Sequence, residues 1–254
     1  MQQNIIILTS GLTGSSVLTG LISRAGYWMG DATFRKEYDT HENKELIELN
    51  HRIFEEAGYE PNYLPEFADD AAVQRIASIP ETADGEPYRM FLKKCAAHQP
   101  WIWKDPRLWM TMGYWKRFLD LKSCKFIVLT RGARQLWVSA ILRRKIISYR
   151  GSRAHEKRIR RSVLDFLQSH DASYCEVRYE DLIVRPEKTI AKLNSFLDTS
   201  LSVEDLKSVY NKPLYKAPGN SIIACLKAIL IYLKNYSERV DMLTGRKASD
   251  KLAV

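Results

Sequence analysis

Two stretches of the chain, Ile5-Ile6-Ile7-Leu8 and Lys125-Phe126-Ile127-Val128-Leu129-Thr130, are apolar at successive positions and lack the alternation of a strand with one face in water. Unbroken runs of this length predict strands covered on both faces. Trp101-Ile102-Trp103-Lys104, short and aromatic, and residues 173–177 read as two further strands. Between these runs the period becomes helical. Val17, Leu18, Leu21 and Ile22 predict a first helix reaching about Arg24 and stopped by Gly26. Leu46, Ile47, Asn50, Ile53 and Phe54 share one face of a helix over 43–57, which Gly58 ends. Helices are also predicted over 68–78, 88–98, 108–119 and 222–233. Another follows Arg131 with Leu136, Trp137, Ala140 and Ile141 inward, and another starts at Pro186 with Ile190, Leu193, Phe196 and Leu197 inward. Residues 27–31 read as an aromatic turn and 37–45 as a polar connection. Residues 61–65, 80–87 and the stretch holding Pro213 and Pro218 read as loops, and 240–254 as a frayed tail.

Strands alternating with helices predict an α/β fold, a three-layer parallel β-sheet with helices on both faces. No repeat, low-complexity segment or linker breaks the pattern, so residues 1–254 read as a single domain. Lys and Arg number 39 against 30 Asp and Glu, a net charge of +9 that favours anionic partners without choosing among them. The four cysteines, Cys95, Cys124, Cys175 and Cys225, are widely spaced and contain no Cys-x-x-Cys pair. That spacing predicts neither a disulfide framework nor a metal site, and it points to a reducing, cytoplasmic setting. The N-terminal residues show no basic region followed by an apolar core, so no signal peptide is expected. The apolar run 222–233 is interrupted by Lys227 and is too short to span a bilayer. It reads as a helix packed on the body or lying on another surface, a membrane included.

In sheets of this kind ligands gather at the carboxyl ends of the strands. Four such ends carry Gly11-Leu12-Thr13-Gly14-Ser15-Ser16, Lys104-Asp105, Arg131 and Tyr179-Glu180. A buried strand, a loop of small residues and a helix make a cradle for a phosphate, because small side chains let it approach the backbone N–H groups of the first helical turn. A Walker-type loop would require Gly-Lys-Ser/Thr, and Gly14 is followed by Ser15 and Ser16 instead. Arg131, with Ser139 two turns into the next helix, offers a guanidinium fork and a hydroxyl for a second phosphate some distance from the first. The basic run from Arg143 to Arg161 reads as a solvated helical face or as an attractor for an acidic acceptor.

Together these blocks resemble the sulfotransferase family that uses 3′-phosphoadenosine 5′-phosphosulfate (PAPS). The matching segments are residues 5–22 continuing through Gly26 to Gly30-Asp31, Trp103-Lys104-Asp105-Pro106-Arg107-Leu108, Phe126 to Arg131 with Ser139, and Val177-Arg178-Tyr179-Glu180-Asp181-Leu182 with Pro186. Their order and spacing agree with bacterial members across residues 5–197. The resemblance implies a P-loop nucleotide-binding fold in which Gly11, Leu12, Thr13, Gly14, Ser15 and Ser16 bind the 5′-phosphosulfate. Arg131 and Ser139 would bind the 3′-phosphate, and Tyr179 would lie near the adenine. Lys104 would stabilise charge developing on the bridging oxygen, with 3′-phosphoadenosine 5′-phosphate (PAP) as product and no metal required.

The acceptor hydroxyl needs a base. Bacterial members carry a glutamate before the second helix, followed by a Leu-Asn pair, which here places Glu42 ahead of Leu49-Asn50. His41 and Asp105 are the alternates, and Glu42 also reads as a helix-start carboxylate favoured by the dipole. Three departures from the family stand out. Leu12 occupies the position where the loop usually carries a cation, Arg131-Gly132-Ala133 replaces Arg-Asp-Pro, and Lys216-Ala217-Pro218-Gly219-Asn220 is at most a weak echo of the glycine-rich loop that covers the nucleotide. The expected partners are the nucleotide donor and a hydroxyl-bearing acceptor, a carbohydrate or small-molecule alcohol, with no nucleic acid. The rival readings are a P-loop kinase-like phosphotransferase and a non-catalytic basic module that binds nucleotides or nucleic acid.

Overall fold

The computed structural model describes residues 2–35, 38–60, 68–80, 85–209 and 222–236. The loop read over 61–65, the stretch with Pro213 and Pro218, Lys216 to Asn220 and the tail over 240–254 lie outside the described residues. The elements in chain order are β1 (Asn4–Thr9), α1 (Ser15–Ser23), β2 (Thr33–Arg35), β3 (Asp39–Asn43), α2 (Lys44–Glu56), α3 (Asp70–Ala77), α4 (Glu86–Ala97), β4 (Ile102–Lys104) and α5 (Leu108–Trp115). They continue with β5 (Cys124–Thr130), α6 (Ala133–Leu142), α7 (Tyr149–Ser169), β6 (Tyr174–Arg178), α8 (Tyr179–Val184), α9 (Pro186–Leu197), α10 (Val203–Val209) and α11 (Ile222–Lys234).

The four expected strands form one parallel sheet in the order β4-β1-β5-β6. β1 is central, with Ile5 opposite Ile102 on one side and Lys125 on the other. Its lack of alternation has a direct cause, since both faces are covered by apolar layers. Ile6 and Leu8, with Trp103, Phe126 and Val128, face a layer built from α2, α3, α4, α5 and α7. Ile5 and Ile7, with Ile102, Ile127 and Leu129, face a layer built from α1, α8, α9 and α10. A smaller cluster joins α6 to α11 through Val138, Ile141, Ile147 and Ala228, with Leu12 packed against it.

Two readings of the sequence are corrected. Residues 37–45 are not a plain polar connection: Asp39–Asn43 pairs antiparallel with Thr33–Arg35. Side chains hold this pair together, Thr33 Oγ1 donating to Asp39 (2.8 Å) and Thr40 Oγ1 to the Phe34 carbonyl (2.7 Å). The helix expected over 43–57 therefore begins at Lys44, with Asn43 as its cap accepting from the Glu45 N–H at 3.0 Å. The second correction is α10, which lies in a stretch read only as loop. It begins with a reciprocal cap in which the Ser202 N–H donates to Asp205 Oδ2 (2.8 Å) and the Asp205 N–H donates to Ser202 Oγ (3.1 Å). Ser-x-x-Asp before Leu206 and Val209 was the signal for it in the sequence. No helix among the described residues is long and apolar enough to cross a membrane.

Candidate functional site

The loop after β1 turns through three left-handed residues, Gly11 (φ 79°), Leu12 (φ 55°) and Gly14 (φ 83°). Gly14 is required twice over: its φ favours glycine, and a Cβ there would overlap the Tyr179 ring. The Val17 and Leu18 N–H groups return to the Gly14 carbonyl at 3.0 and 3.3 Å. Those of Ser15 and Ser16, in the first turn of α1, have no acceptor among the described residues. Thr13 is fully buried and its hydroxyl is bonded to that of Thr9, so its side chain braces the loop from beneath. Ser15 is also buried, its carbonyl accepting from Thr19 Oγ1 at 2.9 Å.

Lys104, the last residue of β4, is 3% exposed. Its Nζ donates to Glu42 Oε1 at 2.5 Å, to the Thr40 carbonyl at 3.2 Å and to Ser16 Oγ at 3.4 Å. A buried ammonium is tolerated only with such partners. Glu42 lies on β3, two residues ahead of α2, and not in a first helical turn. Its approach to Lys104 follows a kink at His41, whose φ is 55°. That turn is held by the His41 N–H donating to Asp39 Oδ1 at 2.8 Å. The Asp39 carboxyl is pushed up by burial, but the hydrogen bonds from His41 and Thr33 outweigh this and set it below its ordinary range. The His41 ring packs against Gly20 of α1, where burial above all, opposed by Asp39, lowers its pKa and favours the neutral imidazole.

Asp105, fully buried, accepts from Asn50 Nδ2 (2.9 Å), from the Arg107 N–H (2.9 Å) and from Arg107 Nη1 (2.9 Å). Its two oxygens hold the turn that follows Lys104. Asn50, also fully buried, completes the bracket by accepting from Thr111 Oγ1 (2.8 Å) and Trp115 Nε1 (2.9 Å). The sequence placed Asn50 on an apolar helical face. Its role in joining α2, β4 and α5 appears only in three dimensions.

On the other side of β1, Arg131 Nη1 donates to the Leu12 carbonyl at 2.8 Å, and the guanidinium lies 5.0 Å from the centre of the Tyr179 ring. Arg131, Leu12, Gly14 and Tyr179 are thus joined by direct contacts. Glu180 Oε1 accepts from the Gly132 N–H at 2.9 Å and ties the turn after β5 to the end of β6. Ser139 is buried on α6 within the segment that packs toward α11, and its carbonyl accepts from Arg143 at 3.2 Å. Leu12 lies against this same apolar cluster, which accounts for an aliphatic residue in the loop.

A cleft of about 610 Å³ opens at the β2–β3 pair, lined in part by Met29, Asp31, Arg35, Asp39, His41 and Lys44, with Glu42 outside its lining. A sheet rim thus carries N–H donors, a buried lysine–glutamate pair and an arginine, with a cleft at the neighbouring β2–β3 pair. That arrangement can hold an anion over the loop and bring a second molecule toward a carboxylate. Among the described residues no His, Cys, Asp or Glu cluster is placed to hold a metal ion.

No family model matches the sequence, and no curated protein matches it. Solved structures do share the fold. The sulfotransferase domain from the curacin biosynthetic pathway is 15% identical over 89% of this chain and 82% of its own, with a TM-score of 0.51. The sulfotransferase domain from the Synechococcus PCC 7002 olefin synthase is 18% identical over 92% of this chain and 94% of its own, with a TM-score of 0.52. At these identities the likeness is one of fold: this chain has the central parallel sheet, flanked by helices, of the sulfotransferase domains it resembles.

Proposed function

We propose that this protein is a PAPS-dependent sulfotransferase acting on a hydroxyl of a carbohydrate or small-molecule acceptor. The observation that carries the reading is the meeting of Lys104 Nζ, Glu42 Oε1 and Ser16 Oγ at the mouth of the small-residue loop. When bound, the donor supplies a sulfuryl group, which passes to the acceptor oxygen as its bond to the phosphate oxygen breaks. The Ser15 and Ser16 N–H groups and the start of α1 are suited to the 5′-phosphate end. Lys104 is suited to neutralise charge growing on the bridging oxygen. Glu42, paired with Lys104, accepts the proton that the acceptor hydroxyl loses. Arg131 supplies positive charge for the 3′-phosphate beside the Tyr179 ring. Leu12 leaves the loop without the usual cation, so backbone groups, Ser16 and Lys104 carry that end of the donor.

Thermal melts with PAP test the reading. PAP should raise the Tm of the wild type, and the shift should be largely lost in Arg131→Ala. A shift with ATP and magnesium as large as that with PAP would overturn it. Transfer of labelled sulfate from PAPS over a panel of sugars and alcohols then identifies the acceptor. Stabilisation by PAP with no transfer to any of them would mark a binding protein that has lost turnover.

A further inference from the structure

Helix α11 has two apolar faces. One, with Ala228 fully buried and Ala224, Cys225, Ile231 and Tyr232 beside it, packs on α6. The other turns outward and carries Ile222, Ile223, Leu226, Ile229, Leu230 and Leu233. At about 100° per residue these six fall within an arc of roughly 120°. Ile223 is 77% exposed, Ile222 76% and Leu230 68%. A helix docked on a globular body ordinarily turns polar residues outward. Of the large apolar side chains exposed among the described residues, only Met90 and Val184 lie away from this corner.

The charges bordering this face indicate what it meets. Lys227 and Lys234, seven residues apart, line one flank of the stripe. Exposed Leu142 leads into exposed Arg143 and Arg144 at the end of α6, and exposed Tyr149 is followed by exposed Arg150 at the start of α7. These residues share the corner with α11, because Trp137 stands edge-on to both Tyr149 (6.2 Å) and Tyr232 (5.8 Å). An aliphatic stripe flanked by lysine and arginine is the pattern of a helix lying in a bilayer interface, with apolar side chains among acyl chains and basic heads among anionic lipids. A second copy of the chain would instead set Lys227 and Lys234 near their own equivalents. At 13 residues α11 is about 20 Å long, enough to lie on a bilayer and too short to cross one.

We propose that the outward face of α11 seats the protein on an anionic membrane surface. Since the opposite face of α11 packs on α6, in the apolar cluster that Leu12 also joins, this docking sets the loop after β1 on the membrane-facing side of the sheet rim. Flotation with vesicles tests the proposal without any measurement of turnover. The wild type should float with mixed phosphatidylcholine and phosphatidylglycerol vesicles and not with phosphatidylcholine alone. The double variant Leu226→Glu/Leu230→Glu should reduce the bound fraction about tenfold or more. Lys227→Glu/Lys234→Glu should weaken binding, as should raising salt to roughly 0.5 M. Circular dichroism and Tm establish that each variant is folded, and Ile223→Glu serves if the leucine pair does not fold. Failure of the wild type to float, equal binding to neutral vesicles, or undiminished binding by the folded glutamate variants would overturn it. So would a dimer seen by light scattering that the same variants split into monomers.

Discussion

Lys104 and Glu42 are each other's main compensation for burial, and their energetics are asymmetric. Removing one partner of such a pair strands the other, whereas replacing both by apolar groups can cost little. Glu42→Gln should therefore destabilise the fold by about 3 kcal/mol in urea unfolding, and Lys104→Met/Glu42→Leu should recover most of that loss. On the proposed function, Lys104→Met abolishes transfer while leaving much of the PAP-induced Tm shift intact. His155 allows a test by pH. Burial above all, with Arg158 and Lys145 nearby, lowers its pKa to about 3. Its Nε2 has no hydrogen-bond partner among the described residues. The folded chain keeps this imidazole neutral, whereas the unfolded chain protonates it near its ordinary value. Its contribution to stability is therefore complete above about pH 6.5 and is lost progressively as pH falls toward 3, on the order of 1 kcal/mol per pH unit. Unfolding free energies measured from pH 7 to pH 5 should fall less steeply in His155→Gln than in the wild type.

At the scale of elements, Asn50 links α2 to the turn after β4 and to α5. Asn50→Leu would leave Asp105, Thr111 and Trp115 each short of a partner, and a loss of about 2–4 kcal/mol is expected by denaturant unfolding. Asn50→Asp should fare worse, since it sets a second carboxylate against Asp105. This bracket also marks the limit of what the sequence could tell. β1, β4 and β5 were legible as short apolar runs and β6 as a short alternating one, and the small-residue loop because glycine marks turns. β2 and β3 were not, because Thr33, Arg35, Asp39 and His41 are polar or charged and leave no apolar period. For the site, the residue types at the strand ends were readable. The contact of Lys104 with Glu42 and that of Arg131 with Leu12 were not, since each joins residues far apart in the chain and depends on how β3 meets β4 and how β5 pairs with β1.

The molecule as a whole turns on β1, whose two faces supply both main apolar layers. Ile6 belongs to one layer and Ile7 to the other, and they are adjacent on one strand. Neither layer can lose its share of β1 without exposing the other. We therefore expect one calorimetric unfolding transition, with Ile6→Ala and Ile7→Ala each lowering it as a whole and costing about 2–5 kcal/mol. A variant that split the transition in two would show that the layers unfold independently.

The same strand sets a timetable during synthesis. β1 is made before its neighbours in the sheet, β4 and β5, which begin at Ile102 and Cys124. At roughly 5–20 residues per second, some 6–25 s pass before the ribosome has added β5. Through that interval an unpaired Ile-Ile-Ile-Leu segment is available to any other nascent chain or chaperone. The yield of folded protein should thus depend on translation speed and on what shields β1 while the strands that flank it are still unmade.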